Sequence, residues 1–253
     1  LSRADKEQLV KTLGSGGVTV TEHPELPYAL AVSGYDYLGA LESFEQGWFQ
    51  VQDVSSMMVS EWAAPQAGDY IIDVCAAPGG KALHLSDKLA AAEKNYEGKK
   101  GHVEARDLTE YKVGLIEDNI IRNGADNISA VCHDATVLDE ASVNKADIVI
   151  ADLPCSGLGV LGKKTDLKYK MKEQTQKDLV KLQRQMLSTV WQYVRPGGKL
   201  VYSTCTIHKR ENEGNASWFA KEYPQFKLVK EQQMLPGRDG TDGFYIALFE
   251  RES

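Results

Sequence analysis

A short apolar run leads into a turn of small residues in the segment Tyr70-Ile71-Ile72-Asp73-Val74-Cys75-Ala76-Ala77-Pro78-Gly79-Gly80-Lys81. An apolar strand that ends in an acid and continues through such a turn into a helical pattern is typical of doubly wound α/β folds. The small side chains of Ala76, Ala77, Gly79 and Gly80 let a ligand approach backbone N–H groups. The segment therefore predicts a first strand with a nucleotide-type cofactor site at its end.

Downstream of this segment, short apolar runs alternate with helical patterns. This alternation predicts a mainly parallel sheet covered by helices on both faces. Two further runs at 226–230 and 243–249 have no helix between them, so we expect them to pair antiparallel at one edge of the sheet. The strands are expected at 70–75, 101–107, 128–133, 146–152 and 199–205, and the helices at 79–90, 109–123, 172–194 and 211–222.

The upstream part of the chain has a different pattern. Residues 3–13 form an amphipathic helical pattern, and alternating runs at 18–21, 28–32 and 48–51 predict three strands. We expect a small α+β module over residues 1–52 and a larger domain over 53–253, with Asp53 capping the helix that begins at the boundary. Since the chain begins at Leu1, we expect this module to be partial.

The overall charge is acidic, with a net charge of -7 over 253 residues. This excludes a protein that coats nucleic acid nonspecifically, because neutralising phosphates requires many Lys and Arg side chains. Residues 163–184 nevertheless carry eight Lys or Arg against three acids. This strip is a candidate contact for RNA phosphates, although a solvated helix face explains such a pattern as often.

Four cysteines occur, at 75, 132, 155 and 205, without a Cys-x-x-Cys pair. Their spacing predicts no metal site. No apolar stretch approaches the roughly 18 residues of a membrane helix, so we expect a cytoplasmic protein with reduced thiols and no membrane contact. Cys132, inside an apolar strand, is expected to be a small buried hydrophobic residue.

Acids end three of the predicted strands: Asp73, Asp107 and Asp134. An acid at the second strand end is suited to bind both hydroxyls of a ribose, and one at the third to accept from an adenine amino group. Helix capping is the alternative role for Asp107. A triphosphate ligand is disfavoured because the chain has no Gly-x-x-x-x-Gly-Lys-Ser/Thr loop.

The fourth and fifth strands each lead to a thiol, Cys155 in Asp152-Leu153-Pro154-Cys155 and Cys205 after Thr204. A thiolate can add to C6 of a pyrimidine and so activate C5 to accept a methyl group from a sulfonium donor. If it is protonated or shares a proton, the Asp152 carboxyl can hydrogen-bond N3 and N4 of the ring and draw charge from it. These features predict methyl transfer to cytosine, but residue chemistry alone does not decide which thiol attacks.

From about Gln46 to its end, the chain resembles the RNA cytosine-5 methyltransferases of the Sun/Fmu/RsmB and NOL/NSUN family. The resemblance rests on several motifs that occur in the family order. They are Gln52-Asp53-x-Ser55-Ser56, Asp73-x-Cys75-Ala76-Ala77-Pro78-Gly79-Gly80-Lys81, Asp152-x-Pro154-Cys155-Ser156-Gly157, Ser203-Thr204-Cys205-Thr206 with Glu211-Asn212-Glu213, and Asp242-Gly243-Phe244-Tyr245.

The resemblance implies a Rossmann-like class I methyltransferase sheet, with S-adenosylmethionine as donor and residues 1–52 as an RNA-binding module. It implies Cys205 as the nucleophile and Cys155 as the thiol that aids release, with Lys81 and Asp152 completing the catalytic group. The residues implied to bind the cofactor are Cys75, Ala76, Ala77, Pro78, Gly79, Gly80, Lys81, Asp107, Asp134 and Asp152.

The partner implied by the resemblance is RNA, specifically small-subunit (16S) ribosomal RNA, bound by a monomer. RNA contacts are expected at Lys163, Lys164 and Lys168. The family commonly has two Arg where this chain has Lys163 and Lys164, whereas Lys168 matches the family pattern. Lys lacks the bidentate geometry with which Arg binds phosphate. Two alternatives remain open from the residues: an enzyme acting on transfer RNA or DNA, and a ribosome-assembly factor that binds RNA through a retained fold.

Overall fold

The computed structural model describes residues 5–162 and 172–253. The chain opens with helix α1 (Lys6–Ser15), an antiparallel pair of strands β1 (Thr19–Glu22) and β2 (Leu30–Ser33), and a short helix α2 (Glu42–Glu45). Asp5 caps α1 by accepting a hydrogen bond from the Gln8 backbone N–H. Leu9, Leu13 and Val18 form the small core of this part of the chain.

The strand predicted at 48–51 is wrong, because this segment has no regular secondary structure. Gly47 has a φ of +70° and lies against the backbone of Arg122, where an added Cβ would be 1.9 Å from the carbonyl oxygen. The chain then packs Trp48 and Phe49 on the small core. Aromatic packing, and not strand pairing, therefore explains the apolar residues of this segment.

The rest of the chain forms a seven-stranded sheet with helices on both faces. The helices are α3 (Val54–Ala63), α4 (Gly80–Ala92), α5 (Glu110–Asn123), α6 (Glu173–Val190) and α7 (Glu213–Glu222). The strands are β3 (Tyr70–Asp73), β4 (His102–Asp107), β5 (Ile128–Cys132), β6 (Ala146–Asp152), β7 (Val194–Thr204), β8 (Phe226–Met234) and β9 (Phe244–Arg251).

The strand order is β5-β4-β3-β6-β7-β9-β8, and the first five of these strands are parallel. Strand β9 runs antiparallel to both β7 and β8. This confirms the predicted mostly parallel sheet with an antiparallel edge, although of the two antiparallel strands β9 lies inside the sheet and β8 forms the edge. Strand order reverses between β3 and β6, which is where ligands bind in such sheets.

The sheet has an apolar core on each face because successive strand residues point to opposite sides. Ile71 packs with Leu83 and Leu85 of α4 on one face, whereas Ile72 packs with Leu187 of α6 and Phe219 of α7 on the other. Both faces are therefore buried, as expected for parallel strands. No helix within the described ranges is long and apolar enough to cross a membrane.

Candidate active site

The two thiols that follow β6 and β7 lie side by side. The Sγ atoms of Cys155 and Cys205 are 3.3 Å apart, although fifty residues separate them along the chain. Both residues are half-buried. The arrangement follows from the parallel pairing of β6 with β7, because the loops after adjacent parallel strands leave the same edge of the sheet.

Hydrogen bonds hold the two thiol loops together. The hydroxyls of Ser156 and Thr206 are 2.8 Å apart, and the Gly159 N–H donates to the Cys205 carbonyl at 3.1 Å. The Gly243 N–H donates in turn to the Gly159 carbonyl at 2.9 Å. The motif that begins β9 is thereby fixed to both thiol loops.

A buried polar network supports the loops from beneath. The Glu211 side chain is fully buried and accepts hydrogen bonds from the Ser156 backbone N–H at 2.9 Å and from Gln183 Nε2 at 3.0 Å. Asn215 donates to Gln183 Oε1 at 2.8 Å. Sequence analysis did not single out Gln183 or Asn215. The available signal was the position of Gln183 on the same helical face as the buried Leu187 of α6.

Lys81 and Asp152 form an ion pair beside the thiols. Lys81 Nζ lies 2.7 Å from Asp152 Oδ2, and the Ser203 hydroxyl donates to Asp152 Oδ1 at 2.8 Å. Burial alone would lower the pKa of Lys81, but the attraction of the Asp152 carboxylate raises it above its usual value. Asp152 therefore accepts on both oxygens, the arrangement of an ionised carboxylate beside a charged ammonium group.

The two thiols differ in acidity although both are half-buried. Contact with Cys205 and burial raise the pKa of Cys155 well above its ordinary value. The pKa of Cys205 is lowered, because the hydrogen bond from Cys155, helped by the positive charge of Lys81, outweighs the opposing effects of burial and of the Asp152 carboxylate. Of the two sulfurs, that of Cys205 is the better thiolate.

Asp73 ends β3 and is almost completely buried. Burial and the nearby Asp152 carboxylate raise the pKa of Asp73 to about 7. Its Oδ1 atom lies 3.4 Å from the Cys75 N–H, and within the described ranges Oδ2 has no hydrogen-bond partner. The carboxyl is thus poised to change charge near neutral pH when a ligand approaches.

A cavity of about 230 Å³ lies at the end of β3. The turn before α4 contains a cis Ala77–Pro78 bond and Gly79, which has a φ of +108° and serves as the N-cap. A Cβ added at Gly80 would meet nothing within 4 Å. The cavity wall includes most of the turn, both ion-pair partners and part of the Gln52-Asp53-x-Ser55-Ser56 motif, for which no cofactor contact was predicted. These residues are Asp73, Cys75, Ala76, Ala77, Pro78, Gly80, Lys81, Asp152, and Gln52, Asp53 and Ser56.

Asp107 is buried at the end of β4 and already accepts several hydrogen bonds. Its Oδ2 atom accepts from the Ala77 N–H at 3.0 Å, and Oδ1 accepts from Leu108 N–H and from Lys112 Nζ at 2.9 Å. The alternative role of Asp107 as a helix cap is wrong, because Thr109 caps α5. Asp107 instead ties the turn after β3 to the neighbouring strand.

Asp134 and Cys132 lie at the end of β5. The Asp134 carboxylate accepts from the backbone N–H and the hydroxyl of Thr136, and these hydrogen bonds lower its pKa. The prediction that Cys132 is buried is wrong: its side chain is exposed. The reason is that β5 is the edge strand, so its last residue has no neighbouring strand beyond it.

Lys163, Lys164 and Lys168, where RNA contacts are expected, lie outside the described residues. Within the described part of the basic strip, Arg184 donates to Asn215 Oδ1 at 2.9 Å and lies 5.0 Å from the centre of the Trp218 ring. Arg184 therefore joins α6 to α7, so this residue of the strip has a structural contact. No group of three His, Cys, Asp or Glu side chains in the described ranges is arranged to hold a metal ion.

Residues 60–250 match the family model described as 16S rRNA methyltransferase RsmB/F. The chain is 31% identical over 258 aligned residues to ribosomal RNA small subunit methyltransferase B of Vibrio cholerae, covering 99% of this chain and 56% of that protein. It is 32% identical to the probable ribosomal RNA small subunit methyltransferase B of Bacillus subtilis, covering 99% of this chain and 58% of that protein. The chain thus spans little more than half the length of these relatives.

Solved structures share the fold. The crystal structure of PH0851 superposes with a TM-score of 0.91 at 30% identity, covering 98% of this chain and 57% of that chain. The structure of NSun6 from Pyrococcus horikoshii with SFG superposes with a TM-score of 0.87 at 22% identity, covering 99% of this chain and 88% of that chain. The fold shared with these structures therefore extends over nearly the whole of this chain.

Proposed function

Because the chain belongs to the RsmB/F family of 16S rRNA methyltransferases, we propose that it transfers a methyl group from S-adenosylmethionine to C5 of a cytosine in small-subunit ribosomal RNA. The observation that carries the proposal is the pair of thiols 3.3 Å apart beside the Lys81–Asp152 ion pair. Residues 53–253 supply this chemistry in the proposal, and residues 1–52 contribute to RNA binding.

The cavity at the end of β3 is suited to the donor. The turn offers small side chains and open space at Gly80, and the Asp73 oxygen that lacks a hydrogen bond within the described ranges is available to a cationic ligand. Bound there, S-adenosylmethionine supplies an electrophilic methyl group on a positively charged sulfur. In our proposal residues 75–81 hold its methionine part, Asp107 its ribose and Asp134 its adenine.

Cys205 is the proposed nucleophile. Its lowered pKa favours the thiolate, which adds to C6 of the cytosine and drives negative charge into the ring. Asp152, paired with Lys81, is placed to accept from the N4 amino group, and the Lys81 ammonium stabilises the charge that develops on the ring. C5 then carries the electron pair that takes the methyl group.

Release requires the C5 proton to leave and the C6–sulfur bond to break. Loss of the proton to a base restores the C5–C6 double bond and expels Cys205 as thiolate. The Cys155 thiol has a raised pKa and therefore stays protonated, so it can donate a hydrogen bond to the departing sulfur. The two thiols thus have different tasks in one reaction.

Substitution of each thiol tests the proposal. Cys205→Ala should abolish methyl transfer and any covalent complex, including one with RNA that carries 5-fluorocytosine at the target. Cys155→Ala should transfer the methyl group but remain attached to ordinary RNA in a complex that survives denaturation, because addition proceeds and release is impaired. Cys132→Ala, which alters an exposed thiol at the end of β5, is the matched control and should behave as the unmodified protein.

The opposite pattern, a trapped complex in Cys205→Ala and none in Cys155→Ala, would assign the nucleophile to Cys155. If the unmodified protein binds S-adenosylmethionine and ribosomal RNA but forms no adduct with the 5-fluorocytosine RNA and methylates no RNA, catalysis is refuted and the assembly-factor alternative is favoured. Methylation of transfer RNA and not of small-subunit ribosomal RNA would refute the proposed substrate but leave the proposed reaction unchanged.

A further inference from the structure

The thiol pair is arranged for a second reaction that does not involve RNA. The two Sγ atoms are 3.3 Å apart, whereas a disulfide bond is about 2.05 Å long. The sulfurs must therefore approach by only about 1.3 Å. The hydrogen bonds between Ser156 and Thr206 and between Gly159 and Cys205 hold the loops together, so little backbone motion is required.

The two thiols also differ in protonation, as the formation of a disulfide by peroxide requires. Thiolates react with peroxides, and the resulting sulfenic acid condenses with a neighbouring thiol. The contact with Cys155, 3.3 Å away, lowers the pKa of Cys205 and so favours its thiolate, while the same contact and burial raise the pKa of Cys155, which keeps its proton. Both side chains are half-buried, which leaves access for a molecule as small as hydrogen peroxide.

We propose that hydrogen peroxide converts Cys155 and Cys205 into a disulfide that reversibly switches the protein off. The Cys205 thiolate attacks one peroxide oxygen, the O–O bond breaks, and hydroxide leaves, giving a sulfenic acid. The Cys155 sulfur then attacks the Cys205 sulfur, and the displaced hydroxide takes the Cys155 proton to form water. Overall, two thiols and one peroxide give one disulfide and two waters, and a dithiol reductant restores the pair.

The other two cysteines provide internal controls. Burial and nearby carboxylates raise the pKa of Cys75, and Cys132 lies at the exposed end of β5, where its thiol contacts the Leu108 carbonyl. Neither is in contact with another thiol in the described part of the chain, which includes all four cysteines. Only Cys155 and Cys205 are placed to form a bond without rearrangement.

The experiment exposes the purified chain to hydrogen peroxide, blocks the remaining thiols by alkylation, and maps peptides without reductant. A peptide joining Cys155 to Cys205 should appear, the number of free thiols should fall from four to two, and dithiothreitol should reverse both changes. Cys132→Ser should give the same crosslink and fall from three free thiols to one. Cys155→Ser should instead accumulate sulfinic acid at Cys205, which dithiothreitol does not reduce.

Wild-type protein that keeps four free thiols, or that acquires sulfinic acid at Cys205 without a crosslink, would overturn the proposal. The measurement of methyl transfer rests on the proposed function, whereas the detection of the crosslinked peptide does not. Methyl transfer should disappear on oxidation and return with dithiothreitol. Crosslinked protein that remains fully active would refute the switch, whereas reduced protein without any activity would instead refute the proposed function.

Discussion

Gly159→Ala should separate the two thiol loops. An added Cβ would lie 1.8 Å from the Gly243 carbonyl oxygen and 2.9 Å from that of Cys205, where ordinary contact begins near 3.4 Å. Both obstacles are backbone atoms, so no side chain can rotate away. To reach ordinary van der Waals contact, the Gly159 loop must move about 1.6 Å away from the Gly243 carbonyl and about 0.5 Å away from the Cys205 carbonyl.

The expected cost is the sum of lost hydrogen bonds and steric strain. The bonds from Gly159 to Cys205 and from Gly243 to Gly159 are each worth about 1 kcal/mol net, and overpacking typically adds about 1–3 kcal/mol. We therefore expect the free energy of unfolding to fall by about 3–5 kcal/mol, measured by urea denaturation at neutral pH. The variant should also form the peroxide-induced crosslink more slowly.

Gly162→Ala is the matched control, because a Cβ there would meet nothing within 4 Å. Its unfolding free energy should stay within about 0.5 kcal/mol of the unmodified value, as for most surface substitutions. If Gly159→Ala also loses less than about 1 kcal/mol, the contact between the two glycines does not hold the thiol loops and the reasoning fails.

Three further predictions concern the cofactor, the pH dependence and RNA. Asp107→Ala should weaken S-adenosylmethionine binding by about 1–3 kcal/mol in calorimetry, and unchanged affinity would remove Asp107 from the ribose role. The Asp73 carboxyl keeps its proton up to about pH 7 in the folded state but loses it near its ordinary pKa in the unfolded state, so the stability of the protein should decline between about pH 4 and pH 7. Asp73→Asn should flatten this decline in thermal denaturation. The same pH profile in the variant and the unmodified protein would contradict the prediction. Charge reversal at Lys163, Lys164 and Lys168 should weaken RNA binding and reduce its salt dependence, whereas an identical salt slope would show that these residues do not contact phosphate.

The sheet was predictable because its physical causes are local. An apolar run such as 146–152 predicts a strand that is buried on both faces. The helical pattern that follows it predicts a crossover helix, so the next strand pairs parallel to the first. These two constraints suffice to place the ends of β3, β6 and β7 at one edge. The same reasoning failed at Trp48 and Phe49, where aromatic side chains favour a strand but pack against a small core.

The network beneath the thiols was not predictable from the sequence. Glu211, Gln183 and Asn215 are polar residue types that usually lie on protein surfaces, yet all three are fully buried. Their burial is tolerable only because each hydrogen-bonds groups from other elements, and those partners become known only once α6, α7 and the thiol loops are packed. The helical period places Gln183 on the same face as the buried Leu187, but it does not identify these long-range hydrogen-bond partners.

The roles of the two thiols were also not predictable from the residues alone. Cys155 and Cys205 each follow a buried strand, so sequence position treats them alike, and only the family resemblance favoured Cys205 as nucleophile. The structure supplies an independent physical asymmetry. The Lys81 ammonium helps to lower the pKa of Cys205, whereas contact with Cys205 raises that of Cys155. Because a thiolate attacks and a thiol donates, the same asymmetry supports addition through Cys205 and release aided by Cys155, and it also makes Cys205 the sulfur that peroxide should oxidise first.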